Sequence, residues 1–221
     1  MRKIHVQMNE ELTRRAIFEQ AKRAAYSYMD TVRSRAVYPE PEAIGNLAKF
    51  DEPFPAMPSS GEAILDALDR YGSPATVAQT GGRYFGFVNG GCVPAALAAR
   101  WLSDAWDQNA ALYVISPIAA KLEQICEQWL TEIFGLPQGT AAGLVGGTSQ
   151  ASFCGFAAAR HALLGRLGWD VNVKGLAAAP PLRIIVSEQA HSSVIKALAL
   201  LGYGREQIEV APSDPSGAID P

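Results

Sequence analysis

From residue 143 onward the chain alternates short apolar runs with helical segments, and that rhythm restricts its fold more than any other feature. Residues 143–145 (Gly-Leu-Val) are a strand candidate, and a helix follows to Leu167 whose 153–167 part reads as buried. Residues 183–187 form the next strand, a helix runs to Leu201, and residues 208–210 form a third strand. Short apolar strands separated by helices predict an α/β fold with a mostly parallel sheet covered by helices on both faces. In such sheets ligands bind beyond the carboxyl ends of the strands. Two strand-to-helix junctions lie there, at residues 146–152 and 187–193.

The upstream part has a different texture. Residues 9–35 read as one helix, with Asn9 as cap and Leu12, Ala16, Ile17, Ala24, Tyr28 and Val32 at helical intervals. A connector with Pro39, Pro41, Pro53, Pro55 and Pro58 reads as extended and wrapped over a surface. A short amphipathic helix spans residues 61–71. Residues 80–91, rich in glycine and aromatics, predict a pocket-lining loop stiffened by packed rings, or a loop that closes the core. Residues 94–107 and 116–134 are helices. The second has Ser116 as cap, Pro117 at its first position and Gly135 past its end, and its face of Leu122, Ile125, Trp129 and Ile133 reads as core. The domains expected are residues 1–80, a helical arm with its connector, and residues 81–221, the first part of a larger α/β domain.

Composition removes several functions. A net charge of −3 without a basic cluster argues against nucleic acid, and no run is apolar enough to span a bilayer. Residues 1–15 lack the apolar core expected of a secretion signal. Cys92, Cys126 and Cys154 are widely spaced, which fits free, mostly buried thiols in a reducing cytoplasm. His5, His161 and His191 stand too far apart to suggest a metal site. The chain stops at residues 219–221 just after a strand and turn, which suggests a piece of a longer protein. A half-built sheet of this kind is expected to be sticky or poorly folded alone.

At residues 146–152 (Gly-Gly-Thr-Ser-Gln-Ala-Ser) two glycines precede hydroxyl residues at a helix start. Three readings compete. The plainest is an ordinary helix start capped by Thr148 or Ser149. The second is a serine hydrolase, since residues 147–151 approach G-x-S-x-G; it needs His191 as base and an acid, with Asp170 and Glu188 poorly placed. The third is a cradle for one small phosphate, because no Walker A or dinucleotide fingerprint is present. His191 heads the second junction, either as a hydrogen-bonded structural residue or as an imidazole face for a flat ring.

Residues 83–87 (Arg-Tyr-Phe-Gly-Phe), 107–109 (Asp-Gln-Asn), Ser116-Pro117, 147–149 (Gly-Thr-Ser) and 189–193 (Gln-Ala-His-Ser-Ser) occur in one order. In that order and spacing the chain resembles the N-terminal half of the group II pyridoxal-phosphate decarboxylases, which include the aromatic-amino-acid and glutamate decarboxylases. The resemblance implies the type I aminotransferase-like fold, here incomplete, and pyridoxal 5'-phosphate as cofactor. It implies that Thr148 and Ser149 hold the cofactor phosphate and that His191 stacks on the ring, with a later proton-transfer role. Phe87, Val88 and Asn89 match the substrate loop; Asn109 and Ala111 lie where the family reaches into the other subunit's pocket. The arm at residues 9–35 implies an obligate homodimer.

Two departures stand out. Gly81-Gly82 replaces the His-Pro of many members, and neither Lys174 nor Lys196 matches the family's Schiff-base lysine. The expected activity is decarboxylation of an L-amino acid to its amine, with residues 1–221 inactive alone. An aminotransferase on the same fold and a non-catalytic, partner-binding derivative are the alternatives.

Overall fold

The computed structural model describes residues 2–219 and divides into two compact units, one up to Asp107 and one from Gln108. Asp220 and Pro221, where the chain was expected to stop short of another element, lie outside the described residues. Residues 81–107, grouped by sequence with the second part, pack in the first unit.

The first unit is helical. Helix α1 (Arg2–Arg14) and helix α2 (Ala16–Thr31) replace the single helix expected from residue 9, and Asn9 lies inside α1 rather than at a cap. The amphipathic pattern simply continues upstream of Asn9. The break falls at Arg15, which adopts a left-handed φ of 58° while the flanking helical hydrogen bonds persist. No glycine marks it, so sequence punctuation was silent.

The proline connector is only partly extended. Pro41 sits at the first position of α3 (Pro41–Gly45), where its missing N–H costs nothing, and a 3₁₀ turn (Asn46–Phe50) follows. Phe54 and Met57 then stand exposed, so this stretch is not wrapped over a surface. Helix α4 (Gly61–Ala67) begins at Ser60, whose Oγ accepts from the Ala63 amide at 3.2 Å, and it runs on through a wider turn to Gly72. Pro94 starts α5 (Pro94–Trp106), and Trp101 stacks on Tyr26 of α2 with ring centroids 6.1 Å apart.

In the second unit α6 (Pro117–Ile133) ends at Gly135, which supplies the left-handed φ of 58° that the helix exit requires. Ser116 holds the cap position but makes no capping bond; its Oγ is buried without a partner. Leu122, Trp129 and Ile133, expected as core, are exposed, Trp129 by 61%. The stripe has the right period, but nothing in this unit covers it.

Helix α7 (Thr148–Arg166) leads through the short α8 (Val171–Lys174) to strand β1 (Ile184–Ser187), then α9 (Ser192–Leu200) and strand β2 (Ile208–Ala211). β1 and β2 pair in parallel, Ile184 opposite Ile208 and Ser187 opposite Ala211, so β1–α9–β2 is the expected α/β unit. Residues 143–145 form no strand: a strand exists only where a neighbour completes its ladder, and none of the described residues does. Within this chain one sheet face remains open, carrying Ile185, Arg183 and Glu209. α7 packs on α9, and the unit's buried apolar residues among those described come from this pair and its end: Leu164, Ala197, Leu198 and Leu201. The rest of α7 is at most half-buried, so it is not the buried helix its composition suggested.

Arg183 grips Glu209 across the open face with bonds of 2.6 to 2.9 Å. The hydrogen bond and charge of Arg183 lower the Glu209 pKa. A lowered carboxylate pKa stabilises the fold fully above the unfolded value, and the contribution disappears as pH falls through the folded value. Glu209→Gln should therefore lower stability slightly at neutral pH, only slightly because the pair is exposed, and leave it unchanged in acid below the folded value, so that the acid limb of a pH series of urea denaturations is flatter.

Among the described residues no helix is long and apolar enough to cross a membrane. The cysteines are not mostly buried as expected. Cys92 and Cys154 are exposed because the segments bearing them show those positions to solvent, and Cys126 is half-buried.

Candidate functional site

Thr148 and Ser149 open α7, and both are exposed. Gly147 holds the cap position in extended backbone, and no side chain caps the helix. The first helical bonds run from the Gln150 and Ala151 amides to the Gly147 carbonyl, each 3.0 Å. The amides of Thr148 and Ser149 have no acceptor among the described residues, so the positive end of the helix dipole faces outward with donors free. The Gln150 side chain folds back to accept from the Gly146 amide at 3.1 Å. A Cβ added to Gly147 would meet nothing within 4 Å. Neither backbone strain nor packing among the described residues demands glycine there, and the space beside it is open.

The second junction is more tightly built. Beyond β1 the Ala190 amide donates to the Ser187 carbonyl at 2.9 Å, and the Gln189 amide donates to Ser187 Oγ at 3.1 Å. His191 then caps α9. Its Nδ1 accepts from the Ser193 amide at 3.2 Å and lies 2.9 Å from Ser193 Oγ. Accepting an amide proton requires the lone pair on Nδ1, so the neutral ring carries its proton on Nε2. The ring is exposed and available to a flat partner.

This geometry disfavours the hydrolase reading. Nδ1 of His191 is engaged by Ser193, whereas a triad needs an acid there. Asp170 instead caps α8 by accepting from the Asn172 amide at 2.9 Å, and Glu188 accepts from the Ser213 amide at 2.9 Å.

Phe87, Val88 and Asn89 belong to the first unit and Asn109 to the second. Phe87 and Val88 both adopt φ of 55°, a conformation that is costly for a β-branched side chain, and both are almost wholly exposed. The stiffening by packed rings is absent: Phe85 and Phe87 point into solvent because the unit offers them no surface. The Tyr84 hydroxyl is instead 3.2 Å from Asn89 Nδ2, which donates to it. A Cβ at Gly86 would stand 3.1 Å from that hydroxyl. At Gly81 a Cβ would come within 3.0 Å of the Val32 carbonyl, so a histidine does not fit this backbone unchanged. Asn109 uses Oδ1 to accept from the Ala111 amide at 3.0 Å, closing a local turn.

Sequence reasoning missed Tyr84, Glu188 and Ser213 as supports of these segments. For Tyr84 a signal existed in its five-residue spacing from Asn89; the Glu188–Ser213 link joins residues 25 apart, and no local pattern announces it.

The pyridoxal-dependent decarboxylase conserved domain matches residues 45–219. Among solved structures the chain resembles mouse CSAD, with 24% identity and a TM-score of 0.79 over 95% of this chain and 43% of that one. Oryza sativa TDC, solved with PLP and tryptamine, gives 22% and 0.80, covering 96% and 44%. The glutamate decarboxylase domain of a diaminobutyrate-pyruvate transaminase and L-2,4-diaminobutyrate decarboxylase from Vibrio parahaemolyticus gives 18% and 0.83, covering 95% and 46%. At these identities the likeness speaks for the fold, and the chain spans less than half the length of each. The domain match, which runs over residues 45–219, places this chain in the pyridoxal-dependent decarboxylase family.

Proposed function

We propose that this chain carries the phosphate anchor and the stacking histidine of an enzyme that decarboxylates an L-amino acid to its amine. The supporting observation is the uncapped start of α7, where Gly147 leaves open space before two unpaired amides. These residues fit pyridoxal 5'-phosphate: the Thr148 and Ser149 amides and hydroxyls suit its phosphate, and the exposed imidazole of His191 suits its ring. When bound, the cofactor supplies the electron sink for the pair left behind by departing carbon dioxide. His191 offers a flat face and holds a proton at Nε2. Phe87, Val88 and Asn89 are assigned to the substrate wall, with Asn109 beside the partner's pocket.

Covalent attachment is assigned to a lysine outside residues 1–221. Lys174 lies over the Trp169 ring, 5.0 Å from its centre, and Lys196 is exposed on α9. A homodimer, and a cytoplasmic one, is part of the proposal. Its support is the apolar surface that neither unit covers by itself, including Tyr113, Val114, Trp129 and Ile133. Carbon dioxide release from a panel of L-amino acids tests the reading. A longer protein containing this chain should release it, whereas residues 1–221 alone should not. Turnover by residues 1–221, or a keto acid as the main product of the longer protein, would overturn it.

A further inference from the structure

We infer that Glu188 is a positioning residue for His191, acting through the turn that leaves β2; the inference rests on the cofactor reading above. The junction carrying His191 is fastened to that turn from several sides. The Glu188 amide donates to the Ala211 carbonyl at 3.0 Å, and a carboxylate oxygen of Glu188 accepts from the Ser213 amide at 2.9 Å. Ser187 Oγ and Ser213 Oγ lie 2.8 Å apart. The turn that makes these contacts is itself braced. Asp214 accepts from the Ser216 and Ala218 amides at 2.8 and 3.0 Å and from Ser216 Oγ at 2.6 Å, and Ser213 bridges to Ile219. A Cβ at Gly217 would stand 3.2 Å from the Gln189 side chain, so the turn approaches the junction closely.

The consequence concerns the imidazole. His191 reaches Ser193 only while the backbone arrives at the α9 cap with φ −62° and ψ 145°. The three residues before it are held by backbone donors, the Glu188 amide on the Ala211 carbonyl and the Gln189 and Ala190 amides on Ser187, while the Glu188 side chain ties them to the turn after β2. Together with these bonds the Glu188 carboxylate, by holding the junction to the turn after β2, sets the direction of entry and, with it, the engagement of His191 Nδ1 by Ser193 and the plane of the ring. Its charge is not required, because a carboxamide oxygen also accepts from an amide.

The test uses ring ¹⁵N chemical shifts of His191 in the full chain, together with pyridoxal 5'-phosphate affinity. Glu188→Ala should move the His191 signals toward a mixture of tautomers and weaken cofactor binding by up to about tenfold, the upper end for one ordinary hydrogen bond. Glu188→Gln should restore both. Unchanged ring shifts in Glu188→Ala would overturn the positioning role, even if the variant melts earlier. If His191→Ala binds the cofactor as tightly as the parent, the stacking reading fails instead, and the ring shifts still decide the role of Glu188.

Discussion

Gly147→Val should lower affinity for pyridoxal 5'-phosphate by about 10- to 100-fold, the loss of one or two charge-assisted hydrogen bonds, without lowering thermal stability. Two observations separate the effects. Gly147 has extended backbone that any residue adopts, and a Cβ there meets nothing within 4 Å, so the folded chain leaves open space where the valine side chain begins. On the proposed reading, a phosphate held by the Thr148 and Ser149 amides would share that room. Equilibrium titration of cofactor, paired with a melting curve on the same sample, reads both quantities. A drop in stability with unchanged affinity would mean that Gly147 serves the fold alone.

Leu164→Ala should destabilise the α7–α9 pair by about 2–5 kcal/mol, the usual cost of emptying a buried leucine site. Leu164 is 0% exposed, and its unit buries little else: Ala197, Leu198 and Leu201 complete that unit's buried apolar set among the described residues. A core this small has few neighbours able to close the gap, and the loss is large beside the net stability of a typical domain. Hydrogen exchange should show amides of α7 and α9 losing protection together. Leu198→Met, which conserves volume, should cost less than about 1.5 kcal/mol. Equal effects of the two substitutions would deny Leu164 its central place.

What could be read from the sequence was mostly local. Pro117, Gly135 and Pro94 set helix ends through their own backbone preferences, and each end falls where those preferences put it. β1, α9 and β2 were equally visible, since an apolar run, a helical period and a second run specify one crossover unit. Burial was the part that periodicity could not supply. An amphipathic stripe shows which side of α6 is apolar, but not whether Leu122, Trp129 and Ile133 have a covering surface within the chain. The same limit explains Phe85 and Phe87, and it explains residues 143–145, whose strand character needs a neighbour. At the site, Thr148, Ser149 and His191 were marked by their place at helix starts. The restraint on the His191 junction was hidden, because Glu188 meets Ser213, 25 residues away, through a contact made only after folding.

The central claim is that the start of α7 is a phosphate anchor serving a ring held by His191. Comparing equilibrium binding of pyridoxal 5'-phosphate and pyridoxal to the chain tests it most directly, in the parent, Gly147→Val and His191→Ala. The account predicts that the phosphorylated compound binds at least about tenfold more tightly to the parent, as charge-assisted hydrogen bonds require. That preference should vanish in Gly147→Val, whereas His191→Ala should weaken both compounds together. Equal binding of the two compounds to the parent, or a phosphate preference that survives in Gly147→Val, would contradict it.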